Sequence, residues 1–175
     1  MKKASVILAS SSPRRREFLK NFDVEFGVIV PEVSEVEKRG EAPRVYARRL
    51  AVEKADAVFE QLAPAILAGD LKEMDEKLAR IVASDELLII AADTIVVLGK
   101  RMLQKPVDRA DAQRMLRSLN GRAHEVVTGV CVLKIVNGKP VRERSFTVST
   151  RVLFKKLTAA EIAGYVATGE PMDKA

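Results

Sequence analysis

The segment from Val6 to Leu19 constrains the fold more than any other part of the sequence. Val6–Ala9 is a short apolar run typical of a buried strand; three serines and Pro13 follow, and a helical pattern then continues to Leu19. Ser12 can cap a helix by accepting from its first N–H groups, and Pro13 suits the first helical position, where no N–H is needed. The sequence therefore predicts a strand, a tight turn and a helix N-terminus.

Three arginines, Arg14, Arg15 and Arg16, occupy the first turn of this predicted helix. Guanidinium groups match phosphate oxygens well, and the N-terminus of a helix attracts anions. Cations at that end oppose the helix dipole unless an anion lies between them. The pattern therefore favours a phosphate-binding turn over the alternative, an ordinary capped helix with a solvated basic first turn.

Composition limits the class of protein. The chain has 175 residues, of which 47% are hydrophobic, which is enough for a single domain over 1–175 with a core. A net charge of +6 suits an anionic ligand, either nucleic acid or a small polyanion. One cysteine, Cys131, and one histidine, His124, exclude an intrachain disulfide and argue against a Cys/His zinc site. No apolar stretch approaches the ~20 residues of a membrane span, so a soluble cytoplasmic protein without a membrane partner is predicted.

Apolar periodicity predicts a mixture of strands and helices. The longest apolar run, 87–92, is typical of a central strand covered on both faces and ends at Asp93–Thr94. The other predicted elements are a strand over 24–30, a helix from Pro43 to about Leu62, an extra surface helix within 65–83, a hairpin over 95–103, a helix capped by Asp108, a strand from His124 to Val136 broken at Thr128–Gly129, a hairpin turn at Asn137–Gly138, a strand to about Phe154, and a helix opened by the Thr158–Glu161 capping box.

Four charged residues are candidates to meet the serine–arginine turn. Asp93 and Glu35 each follow a predicted strand, while Lys54 and Lys105 would supply positive charge. Two carboxylates with several cations indicate metal-assisted attack on a phosphoanhydride, with the carboxylates holding Mg²⁺ or Mn²⁺. The alternatives are a cap or turn role for Asp93, a solvated loop acid at Glu35 and a lysine at position 54 whose stem covers the edge of the core. No glycine–lysine phosphate loop is present, so a P-loop kinase or GTPase is not expected.

Taken together, these segments resemble the Maf family of nucleoside triphosphate pyrophosphatases. The ordered matches span nearly the whole chain. They are Leu8–Arg16, Pro31-x-x-x-Glu35, Ala51-x-x-Lys54-Ala55, Ala92-Asp93-Thr94, Lys105-Pro106-x-Asp108, Gly121-x-x-His124-x-Val126-x-Thr128-Gly129, Thr150-x-Val152-x-Phe154, and Tyr165-x-x-x-Gly169-Glu170-Pro171-x-Asp173-Lys174-Ala175.

The resemblance implies an α/β fold with a twisted mixed sheet flanked by helices and two lobes around a cleft, similar to the inosine triphosphate pyrophosphatases. It implies hydrolysis of a nucleoside triphosphate to monophosphate and pyrophosphate with a divalent cation, and a possible homodimer. Asp93 matches the proposed proton acceptor and Glu35 a metal-linked acid, so both are candidate metal ligands. The matched phosphate-contacting positions are Ser10, Arg15, Lys54 and Lys105.

Two positions bear on the base. In the family, the branch acting on dTTP and UTP carries Arg after Ser-Pro and Thr after the key Asp, whereas the branch acting on 7-methyl-GTP tends to carry Trp and Gln there. Arg14 and Thr94 therefore resemble the dTTP/UTP branch and imply dTTP, UTP and related modified pyrimidine nucleotides as substrates.

The chain departs from the family pattern in two places. Residues 63–86 are longer than the corresponding family segment and predict a helical insertion. The family pattern also continues beyond position 175 with a glycine-rich segment that carries a third base-recognition residue, so this segment is expected to be missing. Two other functions remain open: a nucleic-acid-binding or septum-related regulator, and an inactive scaffold. Nucleic acid is the less favoured partner because aromatic residues make up only 5% of the chain and none lies among the arginines.

Overall fold

Strands and helices follow one another along the chain in a computed structural model, which describes residues 5–22 and 24–174. The described strands are β1 (Ser5–Ala9), β2 (Phe26–Ile29), β3 (Glu86–Leu98), β4 (Arg101–Leu103), β5 (Ala123–Val136) and β6 (Lys139–Leu153). The described α-helices are α1 (Pro13–Lys20), α2 (Pro43–Ala68), α3 (Glu76–Val82), α4 (Arg109–Leu119) and α5 (Ala159–Ala167), and a 3₁₀ helix follows at Glu170–Asp173.

The strands form one mixed sheet in the order β2-β1-β3-β5-β6, with β4 paired to β3. The β1 strand runs parallel to both β2 and β3, whereas β3 and β4 are antiparallel. Ala9, the last residue of β1, lies opposite Ala91 of β3, so the residues that follow each of them are neighbours. The predicted α/β class with a mixed sheet and helices is confirmed.

Two long strands continue through the positions where the sequence suggested a break. The prediction that a strand ends at Asp93–Thr94 was wrong, because β3 runs unbroken from Glu86 to Leu98. The predicted break at Thr128–Gly129 is also absent from β5. Polar side chains interrupt the apolar run at both places, but backbone hydrogen bonds do not depend on the side chain, so the strands persist.

The chain divides into two compact units, whose boundaries include Asp93–Thr94 and Thr128–Gly129. The first unit contains the described residues up to Glu41, Val45–Asp93 and Gly129–Thr147. The second unit contains Ala42–Arg44, Thr94–Thr128 and the described residues from Val148 onward. The polar residues that end the apolar runs thus mark a change of unit rather than the end of a strand.

The core of the first unit lies where α2 packs its small residues on the sheet. Ala51 and Ala55 are fully buried there, together with Ile7 and Ile89. The helix comes so close to β5 that a Cβ added at Gly129 would lie 2.1 Å from the carbonyl oxygen of Ala47. Only glycine fits at that position. The core of the second unit consists of buried side chains and others packed on them, namely Val96, Leu103, Leu119, Leu98, Met115, Val126 and Phe154.

The segment 63–86 differs in detail from the predicted helix. The α2 helix does not stop near Leu62 but continues through Pro64 to Ala68, and α3 covers only Glu76–Val82. Ile66 packs against the core of the first unit, which favours the extra helical turn. Asp75 caps α3 by accepting from the N–H of Leu78 at 2.9 Å, and Leu78 also packs on that core.

Three local signals in the second half of the chain are confirmed. Asp108 caps α4 through the N–H of Asp111. Thr158 and Glu161 form a reciprocal capping box at the start of α5. Asn137 and its following glycine both have positive φ in the β5–β6 hairpin turn. Among the described residues, no helix combines the length and the apolar character needed to cross a bilayer.

Candidate active site

The serine–arginine turn joins the end of β1 to α1 and is tied to β3. Ser10 is buried, and its Oγ accepts hydrogen bonds from the N–H of Ser12 and from Arg15 Nη1, both at 3.2 Å. Arg15 Nη1 also donates to the carbonyl oxygen of Ala92 at 2.8 Å. Because β1 and β3 are parallel and in register, this bond reaches the residue next to Asp93. The guanidinium of Arg15 is thereby fixed beside the Asp93 carboxylate.

The predicted side-chain cap of α1 was wrong. Pro13 does occupy the first helical position, but the side chain of Ser12 makes no capping hydrogen bond. The N–H of Ser12 instead donates to Ser10, which turns the loop inward. The first turn of α1 carries no acidic side chain, so no carboxylate of that turn offsets the positive end of the helix dipole.

Lys54 joins the two candidate carboxylates. It lies on the inward face of α2, and its Nζ is 2.7 Å from Asp93 Oδ1 and 2.7 Å from Glu35 Oε1. The side chains of Lys54 and Asp93 are only 11% and 9% exposed, whereas that of Glu35 is 54% exposed. The ammonium group of Lys54 is therefore held by two carboxylates inside the unit.

Charges around Arg15 oppose the effect of its burial. Burial lowers the pKa of the Arg15 guanidinium, Asp93 and Glu35 raise it again, and neighbouring Arg14 adds to the lowering. A guanidinium remains protonated under all ordinary conditions. The first unit thus presents two fixed cations, Lys54 and Arg15, to the same two carboxylates.

The segment that carries Glu35 has no regular secondary structure, and two side chains of α2 hold it in place. The hydroxyl of buried Tyr46 donates to the carbonyl oxygen of Glu35 at 2.8 Å. Arg49 Nη2 donates to the carbonyl oxygen of Val36 at 3.1 Å. Burial, with the charges of Asp93 and Glu35 adding to it, raises the pKa of Tyr46 to about 12. Tyr46 therefore stays protonated as a donor at neutral pH.

Arg49 is itself fixed by two carboxylates. Its Nε and Nη2 form a two-bond pair with Glu41 at 2.7 Å each, and its Nη1 contacts both oxygens of Glu53 at 3.0 and 3.1 Å. The hydrogen bond from Arg49 lowers the pKa of Glu41 to about 2, and the hydrogen bonds that Arg49 donates to the two carboxylates raise its own pKa. Sequence reasoning missed Tyr46, Arg49 and Glu41; the only visible signal was the i,i+4 spacing of Arg49 and Glu53.

The remaining predicted site residues lie elsewhere. Arg14 is exposed on α1 in the first unit. Thr94 belongs to the second unit, where its Oγ1 is 3.1 Å from Thr128 Oγ1. Lys105 also belongs to the second unit and pairs with Asp173 at 2.8 Å. The structure thus brings together Ser10, Arg15, Glu35, Lys54 and Asp93 in the first unit.

A family model described as Maf-like protein matches residues 5–175. The chain belongs to the Maf-like family. A Koribacter versatilis protein named dTTP/UTP pyrophosphatase is 43% identical over 170 residues, which cover 97% of this chain and 74% of that protein. A Photorhabdus laumondii protein of the same name is 38% identical over 171 residues, covering 98% and 74%. Among solved structures, the nucleoside-triphosphatase or dITP/XTP pyrophosphatase of Mycobacterium abscessus is 15% identical with a TM-score of 0.41, covering 85% of this chain and 72% of that one.

In this Maf-like chain, the carboxylates of Glu35 and Asp93 are oxygen donors of the kind that a hard divalent cation takes. Glu35 Oε1 and Asp93 Oδ1 contact the same ammonium nitrogen, so they are no farther apart than the sum of those two short distances. Mg²⁺ is commonly held by one or two carboxylates together with substrate phosphates and water. The described residues contain no group of three or more His, Cys, Asp or Glu side chains suited to a metal.

Two further residues, His124 and Cys131, are buried. His124 is buried, and its ring meets the ring of Phe154 edge-on at 4.8 Å between centroids. Cys131 is fully buried in β5, and burial raises the pKa of its thiol to about 12. A thiol with so high a pKa is a poor nucleophile at neutral pH, which agrees with a packing role for Cys131.

Proposed function

We propose that the chain is a nucleoside triphosphate pyrophosphatase that hydrolyses dTTP, UTP and related modified pyrimidine nucleotides to a monophosphate and pyrophosphate. The observation that carries the proposal is the Lys54 ammonium bridging Asp93 and Glu35 beside Arg15. Relatives of about 40% identity that are named dTTP/UTP pyrophosphatase support the substrate class.

Phosphate binding is assigned to the serine–arginine turn and to Lys54. The Arg15 guanidinium is fixed by Ser10 and by the carbonyl oxygen of Ala92, so little conformational entropy is lost when it binds an anion. Lys105 is proposed as a further phosphate contact, which would give up its ion pair with Asp173 when the substrate binds. Cations fixed in advance of binding stabilise the charge that develops as the phosphoanhydride breaks.

Proton transfer is assigned to Asp93. It is buried on a strand and fixed by Lys54, which suits a general base that must meet an attacking water in one orientation. The more exposed Glu35 is the second carboxylate of the pair, and the hydroxyl of Tyr46 holds its backbone by donating to the Glu35 carbonyl oxygen. Mg²⁺ or Mn²⁺ held by Glu35 and Asp93 would supply Lewis-acid stabilisation of the phosphate oxygens.

Base selection is assigned to Arg14 and Thr94. A threonine hydroxyl can donate to a pyrimidine carbonyl or accept from its N3–H, and an exposed arginine can reach a polar base edge. A homodimer and a cytoplasmic location are further predictions; light scattering after size-exclusion chromatography measures the first.

The test is pyrophosphate release from dTTP, UTP, CTP, ATP, GTP and 7-methyl-GTP, with Mg²⁺, with Mn²⁺ and with neither. Asp93→Asn is expected to lower turnover of dTTP and UTP by roughly 10²- to 10⁴-fold, the usual contribution of a positioned general base. Asp70→Asn is the matched control because Asp70 is exposed and, among the described residues, contacts Lys72 through a side-chain pair at 3.9 Å and a backbone hydrogen bond at 3.3 Å.

Two outcomes would contradict the proposal. Equal turnover of dTTP and UTP in Asp93→Asn and in wild type, with both proteins folded by circular dichroism, would show that Asp93 takes no part in the reaction. Turnover of purine triphosphates in preference to dTTP and UTP would remove the pyrimidine assignment while leaving the pyrophosphatase class in place.

A further inference from the structure

A cavity of about 370 Å³ lies in the first unit, on the side formed by α1, β2 and α3. Its volume falls within the range of small-molecule sites. The proposed reaction does not use it, and α3 belongs to the segment 63–86. The lining residues are Arg16, Lys20, Phe26, Gly27, Val28, Asp75, Lys77 and Leu78.

Among the described lining residues, three are cations and one, Asp75, is an acid. Lys20 is exposed and lies 3.5 Å from Glu17. Asp75 accepts the N–H of Leu78 as the cap of α3. Arg16 and Lys77 form no ion pair within the residues that the structure describes, and Arg16 Nε is buried there with no hydrogen-bond partner. The next basic residue of α3, Arg80, differs because it pairs with Glu25.

Convergence of these cations on one concave site costs energy unless an anion is present. Arg16 and Lys20 are four residues apart on α1, a spacing at which like charges destabilise a helix. Lys77 Nζ stands 5.7 Å from the centroid of the Phe26 ring, a contact that keeps the ammonium at the cavity. A cleft lined by one sign of charge concentrates ligands of the opposite sign.

The floor of the cavity is built by close packing. A Cβ added at Gly27 would lie 2.8 Å from Leu78 Cδ1 and 2.9 Å from Ile7 Cδ1. The absence of a side chain at Gly27 therefore leaves room for the end of the Leu78 side chain of α3 to pack against β2. The α3 helix thus supplies part of the cavity lining, including the cation of Lys77.

We propose that this cavity is a second anion site, separate from the cluster of Ser10, Arg15, Lys54 and Asp93, that binds a compact phosphate-bearing anion of two or more charges. Arg16 supplies a half-buried guanidinium, whose geometry matches phosphate oxygens, and Lys20 and Lys77 supply exposed ammonium groups. Inorganic pyrophosphate has the charge and size that the cavity suits, and it is the probe for the test.

The experiment is a titration of pyrophosphate followed by two-dimensional amide NMR in metal-free buffer, which reports each site separately. In wild type, the amides of Gly27 and Leu78 are expected to shift and to saturate. In Lys20→Gln with Lys77→Gln, the concentration at half-saturation for these amides is expected to rise at least tenfold, because two charge-assisted contacts are removed. The control, Lys72→Gln with Lys139→Gln, removes the same charge from exposed positions of the same unit.

The results that test the second site differ from the results that test the proposed function. Saturable shifts at Gly27 and Leu78 that weaken only in the cavity variant support the second site. Shifts confined to residues 10–15, or equal weakening in the cavity variant and the control, overturn it. Urea unfolding of both variants checks the fold, and dTTP turnover of the cavity variant is expected to equal that of wild type whether or not the second site exists.

Discussion

Replacing Lys54 with methionine removes the charge that holds the two carboxylates while keeping most of the apolar stem. The wild-type ammonium contacts Asp93 and Glu35 at 2.7 Å each, and the side chains of Lys54 and Asp93 are almost completely buried. Methionine leaves the Asp93 carboxylate buried and without its ammonium partner. The variant should therefore lose stability through an uncompensated charge rather than through a packing defect.

The expected loss follows from burial. Breaking a buried ion pair by removing one partner costs about 3–5 kcal/mol. The guanidinium of Arg15 lies close enough to Asp93 to have its own pKa raised by it, so the lower end, about 3 kcal/mol, is expected. In a chain of this size, about 2–4 °C of melting temperature corresponds to each kcal/mol, which gives a fall of roughly 6–12 °C.

The assay is a pair of double-mutant cycles measured by urea unfolding at neutral pH. Lys54→Met combined with Asp93→Asn removes both members of the buried pair, so the combined loss should fall short of the sum by about 1–3 kcal/mol. Lys54→Met combined with Glu35→Gln should show a coupling of only about 0.2–1 kcal/mol, because the Glu35 side chain is 54% exposed.

The ordering of the two couplings is the critical result. Additive losses in the Asp93 cycle would refute the argument that burial makes this contact strong. A Glu35 coupling equal to or larger than the Asp93 coupling would show that solvent exposure does not weaken the contact with Lys54, contrary to the reasoning.

Three further predictions concern the surroundings of the site. The pKa of Glu41 is about 2, below its ordinary 4.5, so the stabilisation that its carboxylate contributes is complete above pH 4.5 and is lost as the pH falls toward 2. Glu41→Gln should therefore make the free energy of unfolding, measured with urea, less dependent on pH between 4.5 and 2. An unchanged pH dependence would contradict this. Tyr46→Phe leaves the carbonyl oxygen of Glu35 without its donor and should cost about 1–3 kcal/mol by urea unfolding, whereas no loss would show that the bond is dispensable. Arg14→Trp with Thr94→Gln should lower dTTP turnover more than 7-methyl-GTP turnover, and equal losses would count against the specificity assignment.

Many of the candidate site residues could be predicted from the sequence, because each lies at the boundary of a predicted element or in a motif. Ser10 and Arg15 follow an apolar run, and Asp93 interrupts another. Their meeting in one unit follows from parallel pairing of β1 with β3, which aligns Ala9 with Ala91. The sequence suggested a buried strand at each place but could not show that the two strands are neighbours.

The residues that hold the segment carrying Glu35 could not be found from the sequence. Tyr46 and Arg49 act on the carbonyl oxygens of residues 35 and 36, and backbone atoms carry no sequence signal. The same limit explains the error at Ser12, whose N–H rather than side chain makes the important bond. Periodicity also misplaced the end of α2, since packing of Ile66 on the core extends the helix past Pro64.

Local side-chain chemistry and ordered motifs were enough to predict the alternation of strands and helices, the capping of α4 and α5, the hairpin at Asn137–Gly138 and the membership in the Maf-like family. The burial of Lys54 between two carboxylates, with its ammonium group kept from solvent, depends instead on how α2 packs on the sheet. The continuation of β3 through Asp93 is likewise a result of strand pairing that the residue pattern did not reveal. The reason is physical: burial and charge pairing depend on which elements pack together, and the free energy of an ionised group depends on all the atoms that surround it.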